Sequence, residues 1–558
     1  MSNALTKILK LSAIFFVVGF FFFASAHSAS AATKYWTGTG TWNAANTNWG
    51  TAPGGPYNTT FDTGDAAVFE GTAGTVTVSS PNNPATITFN VTGYTLSGGT
   101  ITNTSGGFTI YVANGVSATV SSLINPNTTW AAGVVSGTGT LTLSGNSTFA
   151  GSFYLYSGVT VVVSNAGALG TSANPTYVQS GATLDINGYA LSEPLELIGT
   201  GVSGAGALTN SGGSQLNYAG LITLGGSATI NSPNASGGIS LTNVGTITGS
   251  GYDLTFDGAA TNVQISSIIG TGTGKVYKTG TGTVTFYSNS TYTGGFYLLN
   301  GTAKTQNSGT DFGDGTIYMG DTSGSNSVIF THSGQHVVNP INIVSGSSGT
   351  KTINMAVSGG TSTWSGGFVL NDNVTLNVAT GSSGFSVTGG ITGTGNFTVT
   401  GSGLNQTFST NPVNMSGVFT NSSSSRSTIS GGVGSNVTGI TSNGAGVINI
   451  STNALTVNSS GTTLINSNSG IGKFITVSGG VTGTGDLIIK NNNTLASAIN
   501  FTASVNNTGK IINSGTGSGG ITFNSLGTIG TNVTEINQNS TTSLLNVPAV
   551  TVGATGKI

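Results

Sequence analysis

The chain has 558 residues, of which 91 are glycine, none is cysteine and only 5% are charged, with a formal net charge of −2. A soluble domain of average composition carries about 25% charged residues and about 7% glycine, so an ordinary charged globule, a disulfide framework and a lipid-modified N-terminal cysteine are excluded. Hydrophobic residues still make up 36% and alternate with Thr and Ser, which argues against disorder.

Residues 1–31 read as an export signal. Lys7 and Lys10 form a positive n-region, and Leu11 to Phe23 is apolar apart from Ser12 and Gly19. Ala29-Ser30-Ala31 supplies the small-x-small site read by signal peptidase through Ala29 and Ala31, so the mature chain is expected to begin at Ala32. Ala24-Ser25-Ala26 offers a second cut. The apolar run is short for a bilayer span and no charged stop follows it, so no membrane span is expected in the mature chain. Loss of Lys7 and Lys10 leaves ten Lys/Arg against fourteen Asp/Glu. No basic stripe of the kind that binds nucleic acid or anionic membrane is present in the sequence.

Residues 32–100 differ from the rest. Trp36, Trp42 and Trp49 lie close together, followed by Phe61-Asp-Thr-Gly-Asp65 and Val68-Phe69. A stacked architecture needs a terminal cap over its first open layer, and this aromatic bulk is expected to supply it. The same three tryptophans are also candidates for stacking on sugar rings.

From about residue 101 onward, short alternating runs dominate, as in Thr140-Leu-Thr-Leu143, Thr283-Val-Thr-Phe286 and Asn396-Phe-Thr-Val399, with Thr75-Val-Thr-Val78 and Thr86-Ile-Thr-Phe89 before them. Period-2 alternation between Gly, Asn and Ser turns predicts half-buried strands and almost no helix. The stretch Gly137 to Gly158 recurs without a gap as Gly280 to Gly301, with glycines, apolar alternation and a Phe-Tyr-Leu triplet in register. Such self-similarity marks a stacked repeat. Later motifs recur at other spacings, Gly393-Thr-Gly395 at Gly483-Thr-Gly485 and Gly434-Ser-Asn-Val-Thr438 at Gly530-Thr-Asn-Val-Thr534. A coil tolerates such insertions in its turns, whereas propeller blades need near-constant length. Abundant Asn and Thr can form ladders between layers. The expected fold is therefore an all-β parallel β-helix over residues 101–558, with an N-terminal β cap. Coils of about 20–25 residues would give roughly two dozen rungs, and at about 4.8 Å each a rod of over roughly 100 Å.

Three groups invite a chemical reading. Asp253 and Asp257 would share a face of one strand, as paired glycosidase carboxylates do, but the single arginine, Arg426, is remote in sequence. Asp311, Asp314 and Asp321 form the densest acidic cluster, yet a tandem calcium-loop pattern does not recur and Asx turns account for them. His332 and His336 have the i, i+4 spacing of a helical metal site, but on a strand four residues span about 13 Å. The sister copy lacks counterparts of these histidines and of Asp311 and Asp314, so no catalytic, metal or cofactor residue is assigned. Thr-x-Thr runs suggest an ice-binding array, against which stand the uneven offsets between repeats.

Lys278-Thr-Gly-Thr-Gly-Thr-Val-Thr-Phe, continuing to Asn289-Ser-Thr-Tyr-Thr-Gly-Gly295 and Asn300-Gly-Thr302, resembles the autotransporter-associated β-strand repeat. Leu184-Asp-Ile-Asn-Gly-Tyr189 with Leu197 to Leu208, and Trp36 to Trp49 with Asp65-Ala-Ala-Val-Phe69, are similar to other segments of those proteins. The resemblance covers about residues 34–330. It implies a right-handed β-helical passenger, exported to or released from a Gram-negative cell surface, non-enzymatic and structural or adhesive. Its expected partners are surface glycans or a host or neighbouring cell surface. A translocating barrel would be encoded beyond or apart from this chain, because Gly479 to Ile558 repeats the Gly389 to Val457 region. A polysaccharide-degrading β-helical enzyme, or a glycan-binding module, is the alternative.

Overall fold

A computed structural model describes residues 31–547 apart from 80–81, 103–107, 126–132, 307–310, 334–335, 357–361, 380, 382–383, 469–473, 496 and 525–527. The leader through Ser30, including Ala29, and the final Thr551 to Ile558 lie outside the described residues. Among those described, the helical content is one three-residue 3-10 turn, Val202–Gly204, and the rest of the regular structure is strand.

The N-terminal end is built from β1 (Thr33–Trp36), β2 (Gly40–Trp42), β3 (Trp49–Gly50), β4 (Tyr57–Thr59) and β5 (Ala66–Phe69). β1 pairs in parallel with β5, and β2 in parallel with strand Thr75–Val78. β3 folds back antiparallel to β1 and to β4. Trp49 sits between Trp36 and Trp42, with ring centroids 5.1 and 5.2 Å away in edge-to-face contact. Phe61 and Phe69 close the cluster at 4.7 and 5.7 Å from Trp49. Aromatic quadrupoles favour this T-shaped packing, and all five rings belong to the buried core.

Beyond β5 the pairing is parallel. One column of strands runs from β2 through Thr95–Gly98, Thr140–Leu143, Thr183–Asp185, Leu254–Gly258, Phe296–Leu298 and Ile341–Ile343 to Ile391–Gly393. Single bridges then carry it through Val413 and Val433, and later to Val505 and Ile529. A 15-stranded sheet runs from Leu216–Tyr218 to Glu535–Gln538, and a 10-stranded sheet from His336–Val337 to Leu545–Asn546. Each later turn lays one strand on each of three sheets, as Ile391–Gly393, Phe397–Gly401 and Gln406–Phe408 do in sequence.

Rung length is uneven. Val76 pairs with Leu96, whereas Ile343 pairs with Leu370, a longer step along the chain for the same step along the stack. The corners absorb the difference and strand register is kept. About 19 turns result, against the two dozen expected. At about 4.8 Å per rung the stack is roughly 90 Å long.

The two copies of the internal repeat do not lie above one another. Thr140–Leu143 belongs to the column that includes β2, and the Phe-Tyr-Leu strand of the second copy, Phe296–Leu298, occupies that same column. The second copy's Thr283–Phe286 lies instead in the 15-stranded sheet. The motif has advanced six turns and one face. Its opening glycine is required at both sites. A Cβ on Gly137 would collide with the Val112 carbonyl oxygen of the previous rung, and one on Gly280 with the backbone of Gly258.

Alternation places Val, Ile, Leu and Phe inside every rung, as Leu141 and Leu143 or Ile353 and Met355, all at most 1% exposed. In the C-terminal half an inward row switches to amides. Asn421, Ser442, Asn466 and Asn491 succeed one another in register, each fully buried, and Asn513 extends the pattern in the next turn. Asn466 donates to the Ala498 carbonyl at 2.8 Å and accepts the Asn468 N–H at 3.1 Å. Asn421 donates to Ser425 and Val447 carbonyls at 3.0 and 3.2 Å and accepts from the Ser423 N–H. The row satisfies corner N–H groups of Ser423 and Asn468, and adds a second donor to carbonyls that Ser427 and Ile475 already bond.

Candidate functional site

The tempting pairs from the sequence are separated by the fold. His332 ends strand Val328–His332 and points into the core, fully buried, with its ring centroid 6.1 Å from that of Trp364. His336 opens a strand of a different sheet, where its Nε2 lies 3.5 Å from Ser365 Oγ. Asp311 is buried against the Thr305 hydroxyl, and Asp314 is exposed. Asp321 accepts the Thr322 N–H at 2.7 Å. Among the described residues no three His, Cys, Asp or Glu side chains gather around a common point.

Asp253 and Asp257 share an outward side, as alternation predicts. Asp253 accepts the Lys275 backbone N–H at 2.8 Å, and Asp257 accepts the Thr279 hydroxyl at 2.9 Å. Four residues of extended chain separate them by about 13 Å, beyond the roughly 5–9 Å that glycoside cleavage uses.

Trp36, Trp42 and Trp49 are 1%, 0% and 0% exposed. Stacking on a sugar needs an open ring face, and these faces are taken up by one another and by Phe61 and Phe69.

The Asn and Thr ladders anticipated from composition take definite positions in outward columns that the sequence did not place. On the 15-stranded sheet Thr352, Thr375, Thr398, Thr420 and Thr441 stand in register on consecutive rungs, beside Asn354, Asn377 and Thr400. Asn377 donates to Asn354 at 3.0 Å. On the 10-stranded sheet a second column reads Thr363, Ser386, Thr407, Thr428, Asn449, Thr476, Asn500, Thr522 and Asn546. Uneven offsets in sequence therefore do not disturb the array, and the objection drawn from them does not hold. The signal was present in every Thr-x-Thr run, but its alignment across rungs depends on pairing between strands a whole turn apart.

Tyrosines decorate other faces. Tyr154 and Tyr177 stack at 4.6 Å with an interplanar angle of 4°, with exposed Tyr156 alongside. Tyr277, Tyr297 and Tyr318 stack at 4.9 and 4.5 Å, and the Lys275 ammonium lies 5.3 Å from the Tyr297 ring centre. The tyrosine of the repeated Phe-Tyr-Leu triplet thus stacks on its neighbour in both copies. Tyr277 and then Tyr297 hold the Lys275 ammonium above its ordinary range.

A surface cavity of about 250 Å³ lies at the corner before strand Lys351–Met355, lined by Ser347, Gly349, Thr350, Lys351, Asp372 and Asn373. The buried Lys351 ammonium lies 2.6 Å from Asp372 and donates to the Ser347 carbonyl at 2.7 Å. Burial works to raise the Asp372 pKa, but Lys351 and the Asn373 N–H prevail and hold it below the ordinary carboxylate range. The pair neutralises itself and leaves no spare charge for a ligand.

These residues define a parallel β-solenoid whose faces carry ordered polar and aromatic columns. The chain is similar to the adhesin BmaC autotransporter of Brucella suis biovar 1 (strain 1330), 35% identical over 232 residues, or 38% of this chain. The matched region spans about 6% of that relative's length. The resemblance to autotransporter-type sequences is thus borne out, together with the solenoid fold it implied. No family model matches the chain, and no solved structure matches it.

Proposed function

We propose that the chain is an exported, non-enzymatic adhesive rod of a Gram-negative cell surface, working through geometry. The observation that carries this reading is the set of outward Thr, Ser and Asn columns kept in register across successive rungs. Each hydroxyl or amide contributes little alone, and contacts repeated along one rigid face add as a multivalent array. The similarity to an adhesin autotransporter supports surface display. Residues 1–31 serve as the leader and 32–100 as the end region, whose β5 already starts the parallel register continued in 101–558. Export of the rod uses a barrel outside this chain, and its partners are glycans on a host or neighbouring cell.

The test is binding of purified residues 32–558 to cells and to immobilised polysaccharides. Thr398→Lys with Thr420→Lys, placed mid-column on an outward face, is expected to reduce retention at least tenfold if that column bears the contact. The matching change on the other column, Thr407→Lys with Thr428→Lys, identifies which face is used. Retention untouched by either pair, or release of oligosaccharides from the polymer, would sink the proposal.

A further inference from the structure

Charge is scarce in this chain, so a buried carboxylate at the very start of the described fold calls for a reason. Asp65 is 6% exposed. Its Oδ1 accepts the backbone N–H of Ala32 at 3.0 Å, and its Oδ2 accepts the Asp62 N–H at 3.0 Å. The Lys34 ammonium stands off at 3.9 Å from Oδ2. The backbone of Asp65 is fixed as well, since its carbonyl accepts from Ala85 at 2.9 Å and its N–H donates to Asp62 at 3.1 Å. The Ala32 carbonyl is already committed to the Ala66 N–H at 2.8 Å, in line with the β1–β5 register. The Ala32 nitrogen is therefore held at one place, against one oxygen.

Ala32 is also the residue that the leader's small-x-small site makes first in the mature chain. We propose that Asp65 is a preformed receptor for the α-ammonium group created at Ala32 by removal of the leader. Hydrolysis adds water across the Ala31–Ala32 peptide bond, Ala31 departs as a carboxylate, and the Ala32 nitrogen becomes a primary ammonium. The neutral N–H bond of the precursor then becomes a charge-assisted bond to a largely desolvated carboxylate, the stronger kind. Processing thereby pins β1 to β5 at the end of the rod that the tryptophan cluster closes. This rests on the export reading above, with cleavage after Ala31. Cleavage after Ala26 would put the new ammonium upstream, on His27, and leave Asp65 holding a neutral amide.

The experiment uses residues 32–558 prepared with a free Ala32 amine, acylated by an N-hydroxysuccinimide ester near pH 7.5 and followed by peptide mass spectrometry. An ordinary α-amine has a pKa of about 7.7–8.0, and one unit of upward shift cuts the reactive fraction about tenfold. The wild-type amine is expected to react about tenfold more slowly than that of Asp65→Asn. A Ser-Gly extension ahead of Ala32, which leaves Asp65 intact, is expected to react like Asp65→Asn and to loosen hydrogen-exchange protection of β1 and β5. Equal rates in the three proteins would overturn the pairing. The N-terminus of the exported protein, read by mass, tests the cleavage separately: a start at His27 would overturn the natural pairing whatever the engineered chain does.

Discussion

Lys278 and Glu193 are ionisable side chains turned away from solvent, and they act on pH-dependent stability in opposite directions. Lys278 ends strand Val276–Lys278 between the inward positions of Phe256 and Leu298, and is 1% exposed. Its ammonium donates to the Gly280 carbonyl and, at 3.5 Å, to that of Asn300. Burial lowers its pKa to about 8, with Asp257 opposing. The unfolded chain keeps the proton to about pH 10.4, so the unfolded state binds more protons across pH 8–10.4 and stability rises through that window. Lys278→Met is expected to remove that rise, read from denaturation at several pH values. Glu193 is the converse case. It is 3% exposed, and burial raises its pKa against the pull of backbone N–H groups. The unfolded chain loses its proton first, so stability falls as pH rises above about 4.3. A second corner before a proline, Asn339 ahead of Pro340 where Glu193 stands ahead of Pro194, uses a neutral amide. Trp364 Nε1 donates to the Asn339 carbonyl at 2.9 Å, as Tyr218 donates to that of Glu193. Glu193→Gln is expected to abolish this acid-side slope, and an unchanged pH profile would count against the assignment.

Strands and corners divide the structural labour at the level of elements. The buried amide row shows what the corners need. Asn466→Leu would orphan the Asn468 N–H at about 1–3 kcal/mol, and leave the Ala498 carbonyl with the Ile475 N–H alone. The expected result is faster hydrogen exchange at Asn468, with rungs four or more turns away unaffected. Gly280→Ala is expected to be equally local and more severe, since the clash is with backbone that cannot rotate away. Much of this was legible. Thr75–Val78, Thr86–Phe89, Thr140–Leu143 and Thr283–Phe286 are strands with the bounds their alternation marks, because period-2 patterning records which side is buried. What alternation does not record is the partner strand. The columns of Thr352 to Thr441, and the advance of the second copy by one face, follow from pairing across whole turns whose length the corners set. The amide row had a local sign, an Asn standing where an apolar residue was due at 421, 466, 491 and 513. The candidate sites failed for a related reason: His332 and His336 are neighbours in sequence, but they stand on strands of different sheets.

The whole molecule is a one-dimensional stack in which a rung contacts only its neighbours, so damage is expected to stay near where it is made. Trp49→Ala removes the ring that touches Trp36, Trp42, Phe61 and Phe69, a loss of about 3–5 kcal/mol for a buried aromatic. Hydrogen exchange is expected to accelerate through residues 33–98 while the rungs from Ile341 to Val477 keep their protection. Uniform loss along the rod would instead show long-range cooperativity.

The one-face advance between the repeated segments bears on how such a chain can lengthen or shorten over generations. Recombination between the two similar stretches would delete or duplicate the segment from Gly137 to Thr279, a unit that is not a whole number of turns. Everything distal would then swivel by one face about the long axis. A single genetic event of this type would therefore re-aim the hydroxyl columns beyond the joint toward a new side without altering one of their residues. Exchange between stretches a whole number of turns apart would change only the reach.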